Sequence, residues 1–320
     1  MVILILAISV LIAGALVWMA GEELASPGRR PLHDYHLEFL ADPASHGVRL
    51  EKWSLSDGTP SILCEPVAEG KLGQRGLKIR QQMLDRGIEL KPAGQVVGTL
   101  VLVHGRKGRK EDYLLIAERL CAVGFRCLLA DMPAHGEHPG QMIYYGVREA
   151  GLPVRLLKEA SERFHFAPQP AGLLGMSMGG SVAVHAADQP DAPWRALVVI
   201  SSFDALGPAI EVQAQKMTGA WLGGLWAGAA SEAYSWRSGM AVSAIQPRVH
   251  AARLRMPTLI AHGTQDHVVP MESGRRLYEA LPESLVKQWV EVPGADHDNV
   301  LITDFPIYAT VAEWMWKYAR

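Results

Sequence analysis

The chain has 320 residues, a length that suits one large domain or one domain with an inserted cap. Hydrophobic residues make up 49% and charged residues 20%, which excludes a disordered chain and leaves ample material for a core. With 31 basic against 33 acidic residues the net charge is −2, so nothing points to a nucleic-acid partner. Cys64, Cys121 and Cys127 are odd in number, lack metal-type spacing and lie in or beside apolar segments. They read as buried thiols, not as a disulfide framework or a metal site. Neither a cofactor nor a metal is expected.

Residues 1–20 carry no charge and are almost wholly aliphatic. Twenty helical residues span roughly 30 Å, the thickness of a bilayer's hydrocarbon core. A cleaved signal peptide should open with Lys or Arg, and the only A-x-A site, Ala13-Gly14-Ala15, falls inside the apolar run. The segment therefore reads as a single-pass membrane anchor. Arg29 and Arg30 follow it and favour a cytoplasmic main domain, but Glu22 and Glu23 intervene, so the side of the membrane stays open.

Residues 21–47 read as a linker, broken by Pro27, Gly28 and Pro31, with a short helix over His33 to Leu40. The main domain is expected over 48–320. Val48 to Leu55 and Ser61 to Cys64 read as a hairpin around Asp57-Gly58. Lys71 to Leu90 is basic and amphipathic, with Leu77, Ile79 and Met83 on one face, and suits a solvated surface helix better than a membrane-surface one.

From Val96 the pattern alternates buried strands with helices. Strands are expected at Val96 to Val103, Phe125 to Ala130, Ala171 to Met176, Ala196 to Ile200, Thr258 to Ala261 and Val286 to Val292. The helices fall at Glu111 to Val123, Gln141 to Phe164 with a break near Gly151-Leu152-Pro153, Ser181 to Ala187, Glu272 to Ala280 and Tyr308 to Tyr318. Such alternation predicts an α/β fold with a doubly wound, mostly parallel sheet. Residues 204–250 exceed a simple crossover and carry Met217, Trp221, Leu222, Leu225, Trp226, Tyr234, Trp236 and Met240, so a helical cap packed on the sheet is expected after the sixth strand.

The strand ending at Met176 runs into Gly175-Met176-Ser177-Met178-Gly179-Gly180, a G-x-S-x-G pattern at a strand-to-helix turn that lifts a serine hydroxyl clear of the backbone. A serine needs a base to take its proton, and the base needs a carboxylate to orient it. Asp266 lies on the loop beyond the Thr258 strand, and His297 on the loop beyond the Val286 strand. In a parallel sheet these strand ends face the same way, so Ser177, Asp266 and His297 can converge. Asp204 and His267 are the rival positions. The oxyanion donors expected are the N–H groups of Met178, directly after the serine, and Arg106, on the loop after the Val96–Val103 strand. The side chains of Arg106, Lys107, Arg109 and Lys110 either steer an anionic substrate or pair with Glu111 and Asp112.

From about residue 96 onward the chain resembles the α/β-hydrolase superfamily of serine hydrolases, including its lysophospholipase, carboxylesterase and acyl-peptidase-like branches. Leu102-Val103-His104-Gly105, Asp131-Met132-Pro133-Ala134-His135-Gly136, Gly175 to Gly180, His262 to Pro270 and Gly294-Ala295-Asp296-His297 carry the likeness, in order. Two departures stand out: Asp296 precedes the histidine where glycine is common, and a basic run follows His104-Gly105. The resemblance implies hydrolysis of a small-molecule carboxylic ester, including lipid or acyl esters, through an acyl-enzyme. An acyltransferase or peptidase on the same three residues, and a non-catalytic membrane-tethered module, are the rival readings. The last would be marked by loss of one of the three residues, and all are present. Nothing in the sequence indicates an oligomeric state.

Overall fold

A computed structural model describes residues 2–68, 71–301 and 306–320. In chain order its elements are α1 (Val2–Ala25), α2 (Asp34–Ala41), β1 (Val48–Ser54), β2 (Pro60–Pro66), α3 (Gln74–Asp85), β3 (Gly98–Val103), α4 (Leu114–Ala122) and β4 (Phe125–Ala130). Then come α5 (Leu152–Phe164), β5 (Ala171–Met176), α6 (Met178–Ala187), β6 (Ala196–Ile200), α7 (Leu206–Thr218), α8 (Ala220–Ser238) and α9 (Pro247–Ala251). β7 (Thr258–Gly263), α10 (Met271–Glu279), β8 (Lys287–Val292) and α11 (Ile307–Tyr318) complete the chain.

The strands form one sheet in the order β1-β2-β4-β3-β5-β6-β7-β8. β2 runs antiparallel to both its neighbours, and the strands from β4 across to β8 are parallel. This is the α/β-hydrolase fold. Strand side chains alternate between two cores, as the pleat requires. Val101, Val103, Leu173, Leu197 and Val199 pack with α5 and α6, while Leu100, Leu102, Leu174, Val198 and Ile200 pack with α4 and α11. Because strands buried on both faces must be apolar throughout, β3, β5 and β6 are continuous hydrophobic runs. The chain order reverses at β3, which lies between β4 and β5, the switch point at whose C-terminal strand ends open α/β sheets place their sites.

Three sequence expectations are corrected. The helix expected from Gln141 begins only at Leu152. Ahead of it the Glu149 carboxylate accepts the N–H groups of Tyr144 and Gly146, holding 144–149 in a turn that competes with helix. The helix expected over Lys71 to Leu90 is confined to α3, whose buried face is Gly76, Ile79 and Met83. Leu77 stands one helical step off that stripe and is exposed. Between β6 and β7 two long helices do form, but Met217, Trp221, Leu222, Leu225 and Trp236 face outward. The buried face of α8 is Gly223, Ala227, Ala230, Tyr234 and Ser238, a stripe of mostly small residues that lets neighbours approach closely and turns the bulky side chains away.

One neighbour of α8 is α1. A Cβ on Gly21 would meet Ala233 and Tyr234, Trp18 lies edge-on to Trp236 at 5.3 Å between ring centroids, and Arg237 Nε donates to Glu22 at 2.9 Å. Only the end of α1 from Val17 onward touches the body; residues 3–16 are exposed. By length and composition α1 suffices to cross a membrane, at about 36 Å for 24 residues.

Candidate active site

Ser177 stands between β5 and α6 with φ 56° and ψ −124°, a conformation that costs a residue with a side chain about 1–3 kcal/mol. Its surroundings hold it there. The Ser177 N–H donates to the Ile200 carbonyl at 2.9 Å, and the Ser177 carbonyl accepts the Ser202 hydroxyl at 2.7 Å and the Gly180 N–H at 2.9 Å. Glycine is needed on either side because backbones touch: a Cβ on Gly175 would collide with the Gly179 carbonyl, and one on Gly179 with the Val103 carbonyl.

Asp266 follows β7 by three residues and His297 follows β8 by five. The two loops are tied together: the Thr264 N–H donates to the Val292 carbonyl at 3.1 Å, the Gln265 N–H to Ala295 at 2.8 Å and the Gly294 N–H to the Thr264 hydroxyl at 2.9 Å. That register places His297 Nδ1 2.8 Å from Asp266 Oδ2 and His297 Nε2 3.0 Å from Ser177 Oγ. Since an ionised carboxylate only accepts, Nδ1 carries the ring proton and Nε2 is left to accept from the serine hydroxyl.

The Asp266 side chain is fully buried. Burial alone would raise its carboxyl pKa. The rings of His262 and His297 and the Val269 N–H outweigh that and hold it well below the usual carboxylate range. Its Oδ1 accepts the N–H groups of Val268 at 2.9 Å and Val269 at 2.8 Å. His262 Nε2 lies 2.8 Å from the Val269 carbonyl and 3.4 Å from Asp266 Oδ2, packing the carboxylate from behind.

Met178 opens α6, and as the first of a helix's four unshared N–H groups its amide has no acceptor within the helix. The loop after β3 stands against the serine, since a Cβ on Gly105 would lie 3.3 Å from Ser177 Cβ. Arg106 follows Gly105 directly, and its side chain runs to α1. Arg106 Nη2 donates to the Glu23 carbonyl at 2.6 Å and its carboxylate at 2.9 Å, and Lys107 Nζ reaches the same carboxylate at 2.6 Å. Arg109 is bound by Glu111, and Lys110 by Asp131, Glu111 and Glu137. The basic run is thus paired inside the protein, with Asp112 accepting the Arg109 N–H and the ends of the first two side chains held by α1. The departure at Asp296 has a local explanation too: Asp296 Oδ1 accepts the N–H groups of Asp298 and Asn299 and fixes the turn after His297.

The three residues singled out as nucleophile, base and carboxylate therefore meet in one hydrogen-bonded chain. The rivals are engaged elsewhere. Asp204 is held by Ser273 and both arms of Arg276, and His267 is exposed with its carbonyl accepting from Gln213 and Lys216 of α7. Three neighbours escaped the sequence reading. His262 lay in a quoted motif and could have been suspected from its spacing to Asp266. Ser202 and Glu23 carry no local signal, because their partners lie 25 and 83 positions away.

Comparison with known proteins agrees with the fold. The pattern of the family described as "Serine aminopeptidase, S33" matches residues 94–238 and 233–301. A pimeloyl-[acyl-carrier protein] methyl ester esterase of Chromobacterium violaceum is 27% identical over 249 residues, covering 67% of this chain and 92% of the relative. Among solved structures, an esterase of Pyrococcus furiosus superposes with TM-score 0.63 at 17% identity, covering 92% of this chain and 98% of its own. A bacterial membrane phospholipase A superposes with TM-score 0.56 at 14% identity over 99% of both chains. Strand order, the turn around Ser177 and the matched residues agree: the chain belongs to the serine aminopeptidase S33 family of α/β-hydrolase enzymes.

Proposed function

We propose that the protein is a membrane-anchored serine hydrolase that cleaves carboxylic esters through an acyl-enzyme. The observation that carries this reading is the continuous chain from Asp266 through His297 to Ser177, at 2.8 and 3.0 Å. Ser177 Oγ attacks the ester carbonyl carbon while His297 Nε2 takes its proton, and Asp266 steadies the imidazolium. The carbonyl oxygen, now negative, accepts from the N–H groups of Met178 and Arg106. His297 returns the proton to the departing alcohol. A water activated by the same ring then attacks the acyl-serine, releasing the acid and restoring the hydroxyl.

An ester substrate is favoured over a peptide by the C. violaceum relative, an esterase, despite the peptidase in the family's description. Residues 1–20 serve as a single-pass anchor, and 48–320 as the hydrolase domain with its cap at about 204–250. The exposed Met217, Trp221 and Leu225 suit contact with an apolar acyl chain. The test is a rate profile with p-nitrophenyl esters of increasing chain length, with an amino-acid p-nitroanilide in parallel. Ester turnover should exceed anilide turnover by at least about tenfold in kcat/KM, each tenfold being about 1.4 kcal/mol of transition-state discrimination. Preference for the anilide would overturn the ester reading.

A further inference from the structure

The last turn of α1 is bound to the body more tightly than a tether requires. The carbonyls of Glu23, Leu24 and Ala25 have no partner further along the helix, and each is taken by a group near the site. Arg106 Nη2 donates to Glu23, the Tyr145 hydroxyl to Leu24 at 2.8 Å, and the Ile143 N–H to Ala25 at 2.8 Å. The Glu23 carboxylate in turn bridges the side chains of Arg106 and Lys107.

Those two residues form the turn that directly follows Gly105, which stands against Ser177. The turn is closed by the Gly108 N–H donating to the Gly105 carbonyl at 3.0 Å, and Lys107 sits in it at φ 63°, in the left-handed region. A side-chain-bearing residue there persists when its surroundings over-determine it. Glu23 engages the ends of the two successive side chains of that turn.

We infer that Glu23 is a positioning residue for the oxyanion loop: by holding Arg106 and Lys107 it aims the Arg106 N–H at the substrate oxygen, making the end of α1 part of the active site. This rests on Ser177 being the nucleophile and Arg106 an oxyanion donor. About twenty residues of α1 fill a hydrocarbon core, so Glu22 and Glu23 stand at its edge. The site is thereby tied to the point where α1 leaves the bilayer, and a lipid ester has a short route to Ser177.

The test uses the full-length protein in detergent micelles with a short-chain p-nitrophenyl ester. Glu23→Ala should lower kcat about tenfold with KM within about twofold, Glu23→Gln should fall between it and the native protein, and Lys107→Met should resemble Glu23→Ala. The Glu23→Ala, Lys107→Met double variant should be no slower than the worse single variant, because both remove one bridge. Arg237→Ala, which breaks the neighbouring α1 contact to Glu22 away from the loop, should keep kcat within about twofold. A Glu23→Ala enzyme with native kcat, losses that multiply in the double variant, or an equal loss in Arg237→Ala would each overturn the inference. Ser177→Ala separates the two levels: residual activity there sinks the nucleophile itself, whereas an inactive Ser177→Ala beside an unaffected Glu23→Ala sinks only the role of Glu23.

Discussion

At the scale of single residues, the site is a serine in a strained conformation kept in place by neighbours with no chemistry of their own. Ser202 is one, donating to the Ser177 carbonyl from the end of β6. Ser202→Ala should loosen the turn and lower kcat about three- to tenfold with little change in melting temperature, read by steady-state kinetics beside a thermal melt. Unchanged kcat would mean the backbone bonds of Ser177 suffice. Asp266→Asn is the sharper probe. An amide can offer Nδ1 a donor where an acceptor is needed, turning the ring to the wrong tautomer, so kcat should fall by about 10⁴. Near-native turnover would remove Asp266 from the proposed triad. The serine, aspartate and histidine were legible because each sits just past the C-terminal end of a strand, and those ends in a parallel sheet share an edge. Ser202, His262 and Glu23 were less so, because a supporting contact is a property of the folded backbone and leaves no spacing in the chain.

At the scale of elements, the edge strands β1 and β8 mix polar and apolar residues because they are partly exposed, whereas the central strands β3, β5 and β6 were readable because burial on both faces forces apolar runs. The stretch 141–151 was not, because Glu149 captures backbone N–H groups that a helix would have used, and such side-chain competition is invisible in hydrophobic periodicity. α8 misled for a related reason: Trp221 and Trp236 suggested packing but face outward, while small residues together with Tyr234 form its buried face. Close approach to α1 at Gly21 follows. Gly21→Leu would drive a side chain into Ala233 and Tyr234, and overpacking of this kind costs about 1–3 kcal/mol, seen as a lower melting temperature in detergent. An unshifted melt would indicate that α1 leaves α8 in solution. For the anchor itself, the full-length protein should stay in the membrane pellet through alkaline carbonate extraction with its N-terminus intact. Release into the supernatant, or a mature chain lacking α1, would contradict anchoring.

At the scale of the whole molecule, several histidines are folded into places that disfavour their charge. Burial, with the His104 ring nearby, pushes His135 down to about 3; burial, with His250 nearby, brings His185 to about 4; and burial lowers His104 as well. In the unfolded chain each would titrate near 6.5. Below that pH the unfolded state takes up protons the native state refuses, so stability falls as pH drops from about 6.5 toward about 4, by up to about 1.4 kcal/mol per pH unit for each such histidine. The melting temperature should therefore decline steadily from pH 7 to pH 5, and His185→Gln should flatten the slope. A melting temperature that holds or rises on acidification would show that these rings are protonated in the native state. His104 links the loops after β3 and β4 by accepting the Met132 N–H at 3.0 Å, so acid loss of structure should reach the site early.

Covalent labelling tests whether Ser177 is the nucleophile. A fluorophosphonate probe should label the native protein at one site, mapped by peptide mass to the segment holding Gly175 to Gly180, and Ser177→Ala should abolish the label while keeping the native melting temperature. Persistent labelling of a folded Ser177→Ala protein, or mapping of the adduct to another serine, would contradict the account.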